Sequence, residues 1–327
     1  MFINRNQITY IIPILKYIDF SQSVPSDVEP IVATVGFFDG VHVGHRYLIE
    51  QVMDEALNER LPSAVITFPV HPRKVLEKEY QPALLCGFDE KVEQLRTTRV
   101  DYCISYPFTK ELSQLTAKQF MENVLKDKLN VRALLVGHDH RFGRHREESF
   151  QQYKEYGEEI GIKVIQAKEF KWFNEDVSSS RIRRLLKAGE IMKTNSLLSY
   201  PYTISGKIVE GYQVGRTIGF PTANMQIWER FKVVPALGVY AVYVHMKDET
   251  REGMLYIGKR PTLHHDENIS IEVNIFDFDG DLYNQSLTVE FVDFIRPDIK
   301  FDSLNVLVQQ IHQDKDDVKK RLKELEI

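Results

Sequence analysis

Cysteine is scarce in this chain: Cys86 and Cys103 are the only two in 327 residues, and they do not form a CxxC pair. That excludes a disulfide framework and a cysteine-built metal site. Two buried thiols in a reducing compartment are expected instead. Long apolar runs are missing too, and no segment reaches the ~18 uninterrupted apolar residues that a membrane helix requires. The apolar run at 10–18 is broken by Pro13 and Lys16 and followed by Asp19, and it lacks a basic start and a small-residue cleavage site. It is expected to be a strand and loop packed on the fold, not a signal peptide, and the expected compartment is the cytoplasm. Nor is there an excess of positive charge: 42 Lys and Arg stand against 47 Asp and Glu, a net charge of −5. That balance argues against a partner such as nucleic acid or an anionic membrane, though a local basic patch still suits a small phosphorylated ligand. Finally, no GxxxxGK[ST] occurs, so no P-loop holds phosphate here.

What is present is ordinary for a globular protein, 43% hydrophobic and 27% charged, in a length sufficient for two cores. The first half alternates short β-rich runs with helical patterns. The runs lie at 31–36, 63–68, 102–105, 133–136 and 163–167. The helical patterns lie at 45–60, 117–129 and 150–160, with a further helix through Val92 and Leu95 that Asp89 is expected to cap. In the helix at 45–60, Leu48, Ile49, Val52, Met53 and Ala56 share one side. This alternation predicts an α/β domain built on a doubly wound parallel sheet. Two short helices follow, at 179–186 and 189–198, and Pro201 ends the second. Beyond it the chain turns β-rich, at 203–209, 238–245, 254–257, 270–276 and 286–294, with Asp279-Gly280 expected as a hairpin turn. A last helix from 302 carries Leu304, Leu307, Val308, Ile311 and Val318. The second domain is therefore expected to be a small β-barrel or sandwich closed by a C-terminal helix, the barrel being preferred. The two domains are expected at 1–188 and 189–327.

The most informative stretch is Gly36-Phe37-Phe38-Asp39-Gly40-Val41-His42-Val43-Gly44-His45, between a strand and a helix. Doubly wound sheets bind ligands at the carboxyl ends of their strands. Gly40 and Gly44 allow close backbone approach, and His42 and His45 fall at a helix N-terminus, which favours anions. A histidine metal site drawing on His71, His138, His140 or His145 is the alternative, but zinc asks for three or four ligands and no thiolate is at hand. The H-x-G-H pattern resembles the nucleotidyltransferase superfamily. In that family the histidines stabilise charge on the α-phosphate of an NTP while pyrophosphate leaves. Val177-Ser178-Ser179-Ser180-Arg181-Ile182-Arg183 is similar to the superfamily's I-S-S-T-x-I-R element. The resemblance gives Ser179 and Ser180 to phosphate binding and Arg183 to the β/γ end of ATP, with Ser180 in place of Thr.

Further motifs resemble bacterial bifunctional riboflavin kinase/FAD synthetases, over about residues 30 to 325 and in the family's order. Thr67-Phe68-Pro69-Val70-His71-Pro72 is similar to their T-F-x-P-H-P loop, and 136–143 to their V-G-x-[DN]-F-x-F-G segment, with His140 in place of Phe. The resemblance implies that Asp139 contacts nucleotide or flavin and that Phe68 and Phe142 line the flavin site; core packing is the other reading of both rings. Gly206-Lys207 leads to Gly215-Arg216-Thr217-Ile218-Gly219-Phe220-Pro221-Thr222-Ala223-Asn224, which resembles the riboflavin kinase signature G-R-x-x-G-F-P-T-A-N. Gly206, Lys207 and Gly215 then belong to the ATP-phosphate site. Thr222 and Asn224 ligate Mg²⁺ in that family, a choice that suits its oxygen preference. Glu272, on a strand at 270–276, matches the family's general base, with Asn274 where His is common. Arg296 is implied to hold flavin or phosphate, unless it caps the last helix. The small molecules implied are riboflavin, FMN, FAD and ATP. Three alternatives stay open: a kinase with an inactive N-terminal module, adenylyl transfer to another acceptor, and a non-catalytic flavin- or RNA-binding regulator.

Overall fold

The computed structural model describes residues 15–22, 28–138, 140–144, 147–173, 175–210, 219–259 and 269–325. Two compact units emerge: Met1–Pro82 with Phe88–Asp176, and Ala83–Gly87 with Val177–Ile327.

The first unit is a six-stranded parallel sheet. Its strands are β1 (Lys16–Asp19), β2 (Ile31–Val35), β3 (Ser63–Thr67), β4 (Tyr102–Ser105), β5 (Val131–Val136) and β6 (Lys163–Gln166), in the order β1-β4-β3-β2-β5-β6. The helices between them are α1 (Val43–Glu59), α2 (Pro72–Leu76), α3 (Phe88–Arg96), α4 (Lys110–Ser113), α5 (Ala117–Phe120) and α6 (Phe150–Ile160). Every residue of β2 and β3 is buried, as expected of parallel strands covered on both faces. Alternate side chains serve opposite faces. Ile31, Ala33 and Val35 join the cluster of Phe120, Met121 and Leu125, whereas Val32 packs with Val52, Ala56, Ala133 and Leu135. Strand order reverses between β2 and β5, and the crevice beyond their carboxyl ends is where such sheets take ligands. Cys86 and Cys103 are buried thiols outside any disulfide, and burial pushes the Cys103 thiol up to about 12.

Two local expectations change. Asp89 does not cap α3, which already begins at Phe88; its carboxylate lies in the first turn, where the helix dipole favours it. The helix expected at 117–129 is α5 followed by a wider π-turn at Met121–Lys126. A short hairpin, β7 (Lys171–Trp172) and β8 (Glu175–Asp176), ends the unit.

The second unit opens with α7 (Ser179–Lys187) and α8 (Ile191–Leu198). A closed antiparallel barrel follows, made of β9 (Thr203–Val209), β10 (Ala223–Ile227), β11 (Gly238–His245), β12 (Thr250–Lys259), β13 (Ile269–Ile275) and β14 (Ser286–Pro297), in the order β10-β13-β12-β11-β14-β9. This overturns one reading. Asp279-Gly280 is not a hairpin turn, because β13 lies between β10 and β12 while β14 lies between β11 and β9. An Asp-Gly pair signals a turn, but barrel closure decides which strands pair. Strand β10 had no clear signal of its own, since its residues also carry the Pro-Thr-Ala-Asn motif. From the first half of the sequence, Leu84 pairs into this unit through its N–H to Phe231 O (2.7 Å) and its carbonyl to Val233 N (2.8 Å).

Helix α9 (Leu304–Leu325) lies on the barrel's outer face, where Val318 and Leu322 pack on Val239, Ala241, Met254 and Phe276. One ion pair anchors it. Arg296 donates from Nε and Nη2 to the two Asp314 oxygens, each at 2.7 Å, and Asp314 is almost wholly buried. Gln310 Nε2 adds a bond to the same carboxylate at 2.8 Å. Removing one member of a buried pair strands its partner's charge. Asp314→Ala is therefore expected to destabilise the unit by about 3 kcal/mol, seen in denaturant unfolding as a lower midpoint; an unchanged midpoint would contradict the anchoring role.

Candidate active sites

The first site grows from the end of β2. Gly36 N still bonds to Ile66 O at 3.0 Å, and then the chain turns sharply. Phe38 (φ 53), Gly40 (φ 77) and Val41 (φ 38) are left-handed. Glycine accepts that conformation freely, while Phe and Val are strained in it. The turn delivers His42, extended in backbone, as the N-cap of α1. Its Nδ1 accepts from His45 N at 3.3 Å, so the neutral ring carries its proton on Nε2. The rings of His42 and His45 stack, with centroids 3.6 Å apart and planes 18° apart. Gly44 is the second helical residue. His45 is half-buried, but its Nδ1 is shielded from solvent and has no hydrogen-bond partner among the described residues. Burial, then the positive influence of His42, Lys91 and His140, holds its pKa well below the ordinary value.

Two further loops border this turn. After β3, Thr67 Oγ1 donates to Phe37 O at 3.1 Å. Phe68 is buried and meets Phe108 edge-on at 5.3 Å. After β5, the chain turns through Gly137, with His140 N bonded to its carbonyl at 3.0 Å. Phe142 stacks on Tyr153 at 4.3 Å, and its N–H donates to the Tyr153 hydroxyl at 3.0 Å. Both candidate flavin rings thus take part in core packing. Asp139 lies outside the described residues.

One group was not foreseen. From the sequence, the positive charge for adenylyl transfer is expected of His42, His45 and Arg183, with no lysine among them. The structure adds Lys91, buried on α3, with Nζ 3.2 Å from Phe68 O. The signal was there: Lys91 stands four residues before the fully buried Leu95, on the same face of the helix. Helix α7 is capped by the Ser178 hydroxyl, which accepts from Arg181 N at 3.3 Å. Ser179 and Ser180 take its first two positions and the half-buried Arg183 the fifth, and α7 packs in the second unit. Among the described residues no group of three or more His, Cys, Asp and Glu is placed to hold a metal.

The second site lies on the barrel. In the β10–β13 pairing Asn224 stands opposite Glu272, and in the β12–β13 pairing Tyr256 does. Residues directly opposite share a face. Both Glu272 oxygens accept hydroxyl bonds: Oε2 from Thr222 at 3.1 Å and Oε1 from Ser270 at 2.9 Å. Asn274, on the same face, donates from Nδ2 to Pro221 O at 2.7 Å and so ties β13 to the residue before Thr222. Burial, then a bond to Asp298 (2.9 Å), pushes the Tyr256 hydroxyl up to about 12. A cleft of about 590 Å³ opens here, lined in part by Thr222, Asn224, Ile275, Phe278 and Tyr283. Gly206 answers a packing need, since a Cβ there would stand 2.4 Å from Gln226 O. Lys207 is exposed on β9. Gly215 lies outside the described residues. Arg296 is committed to Asp314, as above.

A histidine pair at a helix N-terminus beside the reversal of strand order, and separately a carboxylate held by two hydroxyls beside a cleft, suit a transferase with two sites on one chain. The family model described as FAD synthetase matches residues 24–181 and that described as riboflavin kinase matches 198–322. The chain belongs to the bifunctional riboflavin kinase/FMN adenylyltransferase family. A relative of that name from Listeria monocytogenes is 34% identical over 303 residues, 92% of this chain and 95% of its own length. Another, from Escherichia coli K12, is 36% identical over 287 residues, covering 88% and 91%. A crystal structure from Streptococcus pneumoniae, described as a macrolide-efflux protein, superposes with a TM-score of 0.83 at 30% identity, over 93% of this chain and 98% of its own. No helix among the described residues is long and apolar enough to cross a membrane.

Proposed function

We propose that this chain makes FAD from riboflavin in two ATP-dependent steps, with phosphorylation on the barrel and adenylyl transfer at the parallel sheet. The observation that carries this is the coexistence, on one chain, of the hydroxyl-held Glu272 and the capped histidine pair.

At the barrel, Glu272 accepts the proton of the ribityl 5′-hydroxyl as that oxygen attacks the γ-phosphorus of ATP. The bond to the β-phosphate oxygen breaks, giving FMN and ADP. A positioned carboxylate is suited to this work because it needs no covalent intermediate. The Thr222 hydroxyl proton goes to Glu272, which leaves oxygen lone pairs facing elsewhere. Thr222 and Asn224 therefore offer hard oxygen donors that fit Mg²⁺. Once bound, Mg²⁺ would neutralise charge on the ATP phosphates.

At the sheet, an FMN phosphate oxygen attacks the α-phosphorus of ATP, and pyrophosphate leaves. The Nε2–H of His42 and the neutral ring of His45 act as donors to the α-phosphate, where charge builds up. By resemblance, Ser179, Ser180 and Arg183 belong to the triphosphate tail and Asp139 to a nucleotide or flavin polar group. Functional division at 1–188 and 189–327, and work in the cytoplasm, complete the reading.

A chromatographic time course with riboflavin, excess ATP and Mg²⁺ tests it. FMN is expected first, with FAD following as FMN declines. FMN accumulating alone would remove the adenylyl-transfer half, and no flavin nucleotide at all would remove both.

A further inference from the structure

We propose that Lys91 is a positioning residue for adenylyl transfer: its ammonium pins the loop carrying the histidine pair to the end of β3. This rests on the reading of the first site given above. Lys91 is 1% exposed. An ammonium withdrawn from water is costly even when hydrogen-bonded, and an apolar side chain of similar volume often serves stability as well or better. Its retention therefore calls for a reason other than filling the core.

The contacts supply that reason. Nζ donates to Phe68 O at 3.2 Å and to Thr67 Oγ1 at 3.4 Å, and it stands 3.8 Å from the centre of the Phe37 ring. The Thr67 hydroxyl passes its own proton to the Phe37 carbonyl at 3.1 Å. Lysine, threonine and Phe37 thus form one connected brace, with a cation–π contact across it. Phe37 directly precedes left-handed Phe38, and Val41 in the same turn is left-handed too. Such backbone persists only where its surroundings over-determine it. Lys91 and Thr67 do so from the neighbouring strand and helix. The turn in turn sets where His42 caps α1 and where His45 stacks on it. The charge has a second effect, since Lys91, with His42 and His140, favours the neutral form of His45. The lysine then adds fixed positive potential beside the anion site while the imidazole remains a hydrogen-bonding group.

The test uses Lys91→Met in the full chain, assayed for both reactions with wild type alongside, together with its Tm. Met fills the volume of the lysine stem without the charge. The expected result is a fall of about 100-fold in kcat for FAD formation, with KM for FMN within about threefold. Riboflavin phosphorylation should be unchanged, and Tm lowered by only a few degrees, since the Phe68 carbonyl loses its donor while the cost of the desolvated charge is relieved. Thr67→Val breaks the brace at its other link while keeping shape, and is expected to slow FAD formation by roughly tenfold. Wild-type kcat in Lys91→Met would overturn the proposal. So would a joint loss of Tm and both activities, as would be seen for a purely structural lysine, or wild-type FAD formation in Thr67→Val. Should the unmutated chain itself fail to convert FMN to FAD, the reading of the site falls instead, and that outcome is read from the control alone.

Discussion

Glu272→Gln is expected to lower riboflavin phosphorylation by about 10²–10⁴-fold, while the same preparation converts FMN to FAD at the wild-type rate. The substitution keeps the size and planarity of the side chain. The Gln carbonyl oxygen still accepts one of the hydroxyl bonds now made by Thr222 and Ser270. The hydroxyl facing the new NH₂ needs only to rotate, since a hydroxyl both donates and accepts. The fold around the site is therefore preserved, and what disappears is the ability to take a proton. The assay needs two substrates given separately to one purified variant, riboflavin with ATP and FMN with ATP. A variant that phosphorylates riboflavin normally would show that the proton goes elsewhere. One that loses both reactions in a folded protein would show that the two sites are not independent.

The mirror-image loss is expected from the histidine pair. His45→Ala should reduce FAD formation by about 10²–10³-fold and leave riboflavin phosphorylation intact, so that the product sequence stops at FMN. His42 needs a more careful substitution, because its Nδ1 also accepts from His45 N and caps α1. His42→Ala removes the cap as well as the phosphate donor, at about 1 kcal/mol of helix stability. His42→Asn retains a capping acceptor, so its loss of FAD formation is expected without the loss in Tm. The pH dependence follows from burial. His45 is held well below its ordinary value near 6.5 by desolvation first and by His42, Lys91 and His140 after that. A lowered pKa means protonation only in more acid solution. FAD formation should therefore show no decline attributable to His45 as the pH falls from 7 through 6.5. An acid limb centred at 6.5 that vanishes in His45→Ala would contradict the burial and the role together.

How much of this could be read in advance varies along the chain. The helix at 150–160 and the strands at 203–209 and 238–245 have the same limits in the structure, because each carries a clean period and a clear stop. The pairing of Glu272 with Asn224 could not be read. Both lie in motifs resembling those of the kinase family, but their facing positions arise from the β10–β13 register, which joins residues 48 apart in sequence. Asp279-Gly280 shows the opposite failure, a strong local signal whose expected consequence the barrel did not use. Ser270 was seen only as the start of a strand, yet its hydroxyl holds the catalytic candidate. Lys91 went unread although it shares a helix face with Leu95, because a single lysine among acidic neighbours also reads as solvated surface until the helix is packed.

By itself, then, the sequence determined the two kinds of domain, their order and the chemical type of each site, because periodicity, glycine placement and motif spacing are local properties that survive without a folded context. Tertiary structure alone decided which groups meet. It set the reversal of strand order between β2 and β5 that opens the crevice beside His42. It chose the barrel register that brings Thr222, Asn224 and Glu272 together, and the burial that keeps His45 neutral and Lys91 dry. The physical reason is that burial and dielectric belong to the packed assembly, and no residue carries them in its own identity.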